Sequence, residues 1–307
     1  MADTGARLAP YLFILLWSSS FVTARVGLAV VSPLLFVAVR LVAATVLLGA
    51  VLAVRRQSLA PLRGRWHHLA LAGMLVNGVT LSAFHVGMVT ENAAVMALVQ
   101  TLSPLLIAIS AVPLLGERLA PGQWLGLVLG AIGVILVVAP RALEGPAAWG
   151  AVQLGLVGAA SLAGGTLYFG RFGRDVPLLP GTAVQLGAAA VLTVVLTIGL
   201  ERPHAIWTFP AVAAVGWNVL GVSIGAMVLY YYMLRHGTAG RVAANFYLIP
   251  GTVAVLGWAL LGERLSRPAA LGFAVASAGV FLVARGRPGR GDLRSGPPPP
   301  GPSGAAR

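Results

Sequence analysis

The chain has 307 residues without a single cysteine or lysine, and only 9% of them are charged. Without cysteine there are no disulfide staples and no thiolate-held zinc. A soluble domain carries roughly 25% charged residues, so this chain cannot cover a whole surface facing water. It has no Walker-type phosphate loop, which excludes ATP as its energy source. Paired acids, His with Asp, and metal ligands at a workable spacing are missing too, so an integral-membrane enzyme acting on lipid has no evident machinery. What fills the sequence is apolar: 58% hydrophobic residues, a mean hydropathy of +0.89 and 39 glycines. That is the composition of a polytopic membrane protein.

A helix needs about 20 predominantly apolar residues to cross the hydrocarbon core. Ten runs qualify: Leu8–Val30, Leu34–Val54, Trp66–Val89, Ala93–Leu114, Gln123–Ala139, Trp149–Gly170, Gly181–Leu200, Ala211–Leu234, Arg241–Leu261 and Ala269–Ala284. Breaker residues mark the joints, among them Pro33, Pro61, Pro121-Gly122, Pro180-Gly181 and Pro268. The runs are about twice a barrel strand's length and lack polar alternation. An all-α integral membrane bundle of ten transmembrane helices is therefore expected.

All 21 basic residues are arginine, against eight acids, and the formal charge is +13. The arginines sit at the ends of runs and in the last 23 residues, with no stacking aromatics interleaved. That pattern orients a membrane protein and does not track nucleic acid. With the N-terminus inside, fifteen arginines fall on the cytoplasmic side, five fall outside and Arg40 lies within the second run. Both termini are expected in the cytoplasm, and the chain in the cytoplasmic (inner) membrane. The first run contains Arg25 and lacks a small-residue cleavage site, so it reads as a span and not a cleaved signal. Residues 285–307, rich in Gly, Pro, Ser and Arg, read as a disordered cytoplasmic tail.

The chain also repeats itself at an offset of 146 residues. Gly116-Glu117-Arg118-Leu119 recurs as Gly262-Glu263-Arg264-Leu265, Pro104 matches Pro250, Gly133-Val134 matches Gly279-Val280, and Arg25 matches Arg171. Residues 8–139 and 149–284 are thus two five-helix units. Because five is odd, the second unit enters from the opposite side and the pair is inverted. Inverted repeats are the construction from which alternating access follows.

Trp17-Ser18-Ser19-Ser20-Phe21, Arg40, and the proline followed by Gly-Glu-Arg-Leu in both halves resemble the EamA-type branch of the drug/metabolite transporter superfamily. The resemblance covers about residues 8–284. It implies ten helices as two inverted EamA repeats, a central cavity, and transport, often efflux, of amino acids or related metabolites. The second half departs at its start, with Ala163-Gly164 where the first has Trp17-Ser18.

Each candidate residue has a functional and a structural reading. Glu117, Arg118, Glu263 and Arg264 sit at helix C-termini after a glycine, which makes them a structural hairpin. Arg40 lies about 10 Å below the outer surface at 1.5 Å per residue. It either snorkels to the interface or faces the cavity, with Glu91 or a substrate carboxylate as partner. His85 suits proton coupling or hydrogen-bonded packing near a wet helix end, and Glu91 reads as an outer-loop charge. Pro104 and Pro250 break their helices and free backbone carbonyls. Gln100, Thr101 and Ser103 before the first, and Asn245, Phe246 and Tyr247 before the second, then line a cavity or glue helices together. Trp17, too deep for an interfacial belt, serves as a binding platform, and Tyr231 stands opposite His85 in the repeat. Gly122, Gly126, Gly130 and Gly133, echoed by Gly272, Ala276 and Gly279, form packing faces.

The leading expectation is a secondary transporter with a small-molecule metabolite and the lipid bilayer as partners, no nucleic acid and no cofactor. A lipid-modifying enzyme and a receptor or scaffold are the competing classes.

Overall fold

The computed structural model describes residues 2–115, 120–143, 145–173, 175–236, 242, 245–262 and 267–285. Among the described residues every regular element is a helix, and the only extended pairing is an isolated bridge between Val31 and Ala205. The first half comprises α1 (Ala2–Leu28), α2 (Pro33–Val54), α3 (Trp66–Gly73), α4 (Thr80–Thr90), α5 (Ala93–Gln100), α6 (Leu102–Leu115) and α7 (Pro121–Leu143). The second comprises α8 (Pro146–Phe172), α9 (Leu178–Leu200), α10 (Phe209–Trp217), α11 (Met227–His236), α12 (Leu248–Leu261) and α13 (Arg267–Arg285). A π-helical segment, Met74–Val79, joins α3 to α4, and a second, Asn218–Ala226, joins α10 to α11.

Among the described residues, seven helical stretches are long and apolar enough to cross a membrane: Leu8–Leu28, Pro33–Val54, Trp66–Thr90, Ala93–Ser110, Pro146–Phe172, Leu178–Leu200 and Phe209–His236. Three shorter apolar helices, Pro121–Leu136, Leu248–Leu261 and Ala270–Gly279, accompany them. Local chemistry sets their ends. The Asn92 side chain accepts from Val95 N at 2.8 Å to cap α5, and Pro33 opens α2, where a missing N–H costs nothing. Gly262 ends α12 at φ 66°, the left-handed conformation glycine adopts freely.

The break in the fourth run falls at Thr101 and not at Pro104. Pro104 cannot donate to Gln100, four residues earlier, so the helix restarts at Leu102 with the proline in its first turn, where no donor is needed. The second half repeats the arrangement, since α12 starts at Leu248 and carries Pro250 as its third residue. Thus α6 and α12 share start, end and proline at the 146-residue offset, and the two π segments overlap at that offset as well.

Helix α7 packs along α13, and α2 along α9. At the first seam the approach is backbone to backbone. A Cβ on Gly133 would lie 2.6 Å from the Gly272 carbonyl and 2.9 Å from Ala276 Cβ. A Cβ on Gly279 would meet the Gly126 carbonyl and the Gly130 nitrogen at 2.7 Å. Each contact is the other's counterpart at the offset of 146. Such reciprocal contacts are what a two-fold axis generates. Gly122 takes no part, with open space around it.

Gly133→Val and Gly279→Val should each destabilise the bundle by about 3 kcal/mol through overpacking. Gly122→Val should be neutral. Thermal unfolding in detergent, followed by size-exclusion fluorescence, checks all three.

Candidate functional site

The polar groups inside the bundle gather around Arg40, only 1% exposed. Its Nε donates to Ser223 Oγ at 2.7 Å, and one Nη donates to Ser20 Oγ at 3.1 Å and Asn218 Oδ1 at 2.8 Å. The Ser20 hydroxyl also donates to Asn218 Oδ1, and Asn218 Nδ2 donates to Thr23 Oγ1, both at 2.8 Å. Two residues five apart on an α-helix point roughly 140° away from each other. The wider π turn brings Asn218 and Ser223 to nearly the same face, so both reach one guanidinium. Arg40 therefore does not snorkel. Its hydrogen-bond partners are neutral groups from α1 and the second π segment, and not Glu91.

Beside this network, Trp17 Nε1 donates to Gln100 Oε1 at 3.0 Å, tying α1 to α5. The Trp17 ring packs against Phe13 (5.3 Å) and, edge-on, Phe246 (5.2 Å), with Tyr230 completing the cluster. The Thr166 hydroxyl donates to the Leu162 carbonyl and so accepts from Tyr230. His85 is 2% exposed, and its Nδ1 lies 2.7 Å from the Leu81 carbonyl. A carbonyl only accepts, so Nδ1 carries the proton and a neutral ring leaves Nε2 as a bare acceptor. Trp17, Arg40, His85 and Gln100 enclose a space of about 10 Å3. That volume suits one water and is far too small for a metabolite.

The bundle end that carries Arg25 is tightly closed. Arg25 donates to the Met88 carbonyl at 2.5 Å, at the C-terminus of α4, and reaches the Glu91 carbonyl at 3.5 Å. Glu91 is 4% exposed, so it is buried and not a loop charge in water. The Glu201 carboxylate caps α2 from across the bundle. It accepts from the Ser32 hydroxyl at 2.9 Å, Leu34 N at 3.0 Å and Leu35 N at 2.9 Å. An anion at a helix N-terminus is favoured by orphan N–H groups and by the dipole. Ser32 N donates to the His204 carbonyl and Ile206 N to the Val30 carbonyl, which completes the clip.

Among the described residues, the end that carries Arg171 is less tightly filled. A cavity of about 690 Å3 lies between α6 and α8. Leu106, Ser110 and Pro113 line it from α6. Ala163, Gly164, Leu167, Tyr168, Arg171 and Phe172 line it from α8. It extends from Ala160 to Phe172, about 18 Å at 1.5 Å per residue. The Tyr168 hydroxyl lies 2.6 Å from His68 Nδ1, and the His68 ring stacks on Phe172 at 4.4 Å. Its size falls within the range of small-molecule sites, roughly 300–1,000 Å3.

Several expected cavity residues are used elsewhere. Trp17, Arg40 and Gln100 border only the small closed space, and the Thr101 hydroxyl is spent on the Leu98 carbonyl. Tyr231 is buried and accepts from Asn77 Nδ2 at 3.2 Å. Asn245 is half-buried, with its amide 3.8 Å from Met233 Sδ. Tyr247 belongs to a short 3-10 turn, Asn245–Tyr247. Pro104 and Pro250 are buried within the first turns of α6 and α12. Glu117, Arg118, Glu263 and Arg264 lie outside the described residues, as does the tail beyond Arg285. The large cavity was nevertheless signalled in the sequence: Ala163-Gly164 replaces Trp17-Ser18 at the matched position, leaving space where the first half is filled.

The model of the EamA-like transporter family matches residues 7–139 and 149–285. The chain belongs to this family. An Escherichia coli (strain K12) protein named an uncharacterized inner membrane transporter, YedA, is 31% identical over 287 residues, covering 92% of this chain and 90% of the relative. An uncharacterized transporter of Archaeoglobus fulgidus is 27% identical over 286 residues, covering 89% and 94%. These relatives are named as transporters and not as enzymes. A crystal structure of a protein 22% identical in sequence superposes with a TM-score of 0.70 over 91% of this chain and 96% of that one, which establishes the likeness in fold.

Glu201→Ala should lower stability by about 2 kcal/mol, because it leaves two backbone donors and the Ser32 hydroxyl unmet. Glu201→Gln should fall between, since one amide oxygen can still accept. Apparent melting temperatures in detergent measure the order.

Proposed function

We propose that the chain is a secondary transporter that exports small metabolites, amino acids or related compounds, across the cytoplasmic membrane. It works by alternating access between two inverted five-helix repeats, ten transmembrane helices in all, with both termini in the cytoplasm. The observation that carries this reading is the contrast between the two ends of the bundle. Among the described residues a 690 Å3 cavity lies toward the Arg171 end, whereas Arg25, Glu201 and the network around Arg40 close the other. A path open at one end and sealed at the other is one of the two states that alternating access requires.

The repeat supports the second state. Matched prolines, matched π segments and the reciprocal glycine contacts of α7 and α13 give both halves equivalent parts. Exchanging their conformations would close the Arg171 end and open the other. The arginine bias supports a cavity mouth on the cytoplasmic side, where an exporter would load. A deep histidine beside Arg40 is the candidate for proton coupling.

Counterflow in proteoliposomes, with a labelled amino-acid and metabolite panel and with or without a pH gradient, tests the proposal. Saturable exchange is expected. Ala163→Trp, which gives the second half the bulk that Trp17 gives the first, should cut the rate at least tenfold while the protein stays folded. Folded native protein that exchanges no member of the panel would sink the transport reading.

A further inference from the structure

The cavity carries its charge and its aromatic hydroxyl at one end, with the Ser110 hydroxyl the polar side-chain group farther in. Its deep part, from Leu106, Ala160, Ala163, Gly164 and Leu167, offers methyl groups and backbone. Its mouth holds the Tyr168 hydroxyl, the Phe172 ring and the Arg171 guanidinium. Such a gradient suits a ligand with a charged head and an apolar body, inserted body first.

The sign of the head follows from Arg171. Among the described residues no carboxylate pairs with it. Its guanidinium carbon lies 5.7 Å from the centroid of the Phe172 ring, which holds a cation in place without neutralising it. The Phe172 ring is itself stacked on His68, and the His68 ring meets the Tyr168 hydroxyl. The head-group end is thus braced on α3.

The matched arginine of the other half strengthens the assignment. Arg25, 146 residues earlier, donates to backbone carbonyls at the end of α4 and helps seal its own side. The counterpart of Met88 is Leu234, near the end of α11, yet among the described residues Arg171 makes no hydrogen bond to that helix end and lines the cavity. The same position serves as a seal in one half and faces open space in the other.

We infer that Arg171 is the anion-recognising residue of the cavity and that the substrates are carboxylates with an apolar body. This rests on the transport reading and narrows its substrate class. A guanidinium presents a fork of N–H donors that matches a carboxylate, and Tyr168 adds a second polar contact. Amines of the same shape meet like charge and are rejected.

The test uses the purified full chain and three probes with one body: phenylbutyrate, phenylbutanol and phenylbutylamine. Equilibrium binding of radiolabelled phenylbutyrate is measured first, then displacement by the other two. Saturable binding is expected, with the alcohol displacing at least tenfold more weakly and the amine failing to displace. Arg171→Gln should weaken phenylbutyrate binding at least tenfold, Arg171→Lys should recover most of it, and Arg63→Gln, which removes an exposed loop charge, should change it less than twofold. Absent binding to the native chain, equal displacement by the amine, or indifference to Arg171→Gln would each overturn the inference. Flux measured in parallel separates the two readings. Binding that tracks Arg171 without any flux counts against transport alone, and flux with binding indifferent to Arg171 counts against the anion site alone.

Discussion

A guanidinium held in an apolar interior with no counter-carboxylate among the described residues sets the terms for the rest of the bundle. Placing arginine at the centre of a membrane helix costs about 2.5–3.5 kcal/mol on insertion scales. Each hydrogen bond to a charged group returns about 1.5–3 kcal/mol net, so the three donated by Arg40 are enough to offset the cost. They are enough only if every acceptor is in place. Asn218 and Ser223 must share a face, which requires the π segment, and Ser20 must turn inward from α1. One side chain on α2 thereby fixes the rotation of an α1 turn and the winding of a helix from the other half. Widened helical turns of this kind recur at functional positions.

The second organising fact is an asymmetry between matched positions. Trp17 and Gln100 fill and bridge the first half, and their counterparts are Ala163 and Phe246. The indole occupies space that the alanine leaves open, and the 690 Å3 cavity borders Ala163. In a two-fold arrangement with equal side chains, both ends would face the same packing balance. Here Trp17 fills the first half where Ala163 leaves room in the second, and this one pair tilts the packing toward space beside Ala163. Phe246, the counterpart of Gln100, packs against Trp17.

Much of this could be read from the residues because each signal was local. Long apolar runs demand helices, proline and glycine punctuate them, and a doubled Gly-Glu-Arg-Leu marks the repeat. The expected runs and the helices agree to within a few residues at most ends. The break at Thr101 was missed because a proline disturbs the turn before it and is tolerated in the turn it opens. The candidate site was harder to read. Polar residues in a membrane chain serve either as ligands for substrate or as hydrogen-bond partners between helices, and composition does not separate the two. In this structure Gln100 and Tyr231 hydrogen-bond across helices, to Trp17 and Asn77, and Thr101 bonds back to Leu98 in its own helix. The cavity wall is Ala163, Gly164 and Leu167, and what announces it is a contrast at the repeat offset, Ala163-Gly164 against Trp17-Ser18, not any chemistry of its own. Arg171 looked like one more orientation charge, because its role depends on a void that three-dimensional packing creates.

The two closures differ in chemistry, and that bears on the energy balance of alternating access. The clip at the Arg25 end joins Ser32, Leu34 and Leu35 to the carboxylate of Glu201. At the 146-residue offset, Ser32 maps onto Leu178, Leu34 onto Pro180 and Glu201 onto Arg55. Leucine has no hydroxyl, proline has no N–H, and arginine cannot accept, so no such clip can form at the other end. Exchanging the conformations of the two halves would therefore not exchange equal interactions. The state closed at the Arg25 end keeps three charge-assisted hydrogen bonds that the opposite state has no means to replace. A substrate that drives the exchange must offset that difference through contacts it makes only in the second state, because a ligand shifts an equilibrium by no more than its differential affinity. Under the proposed mechanism, loading at the cavity mouth and release at the far end are then unequal steps, and the inequality is written in three residue pairs that break the repeat.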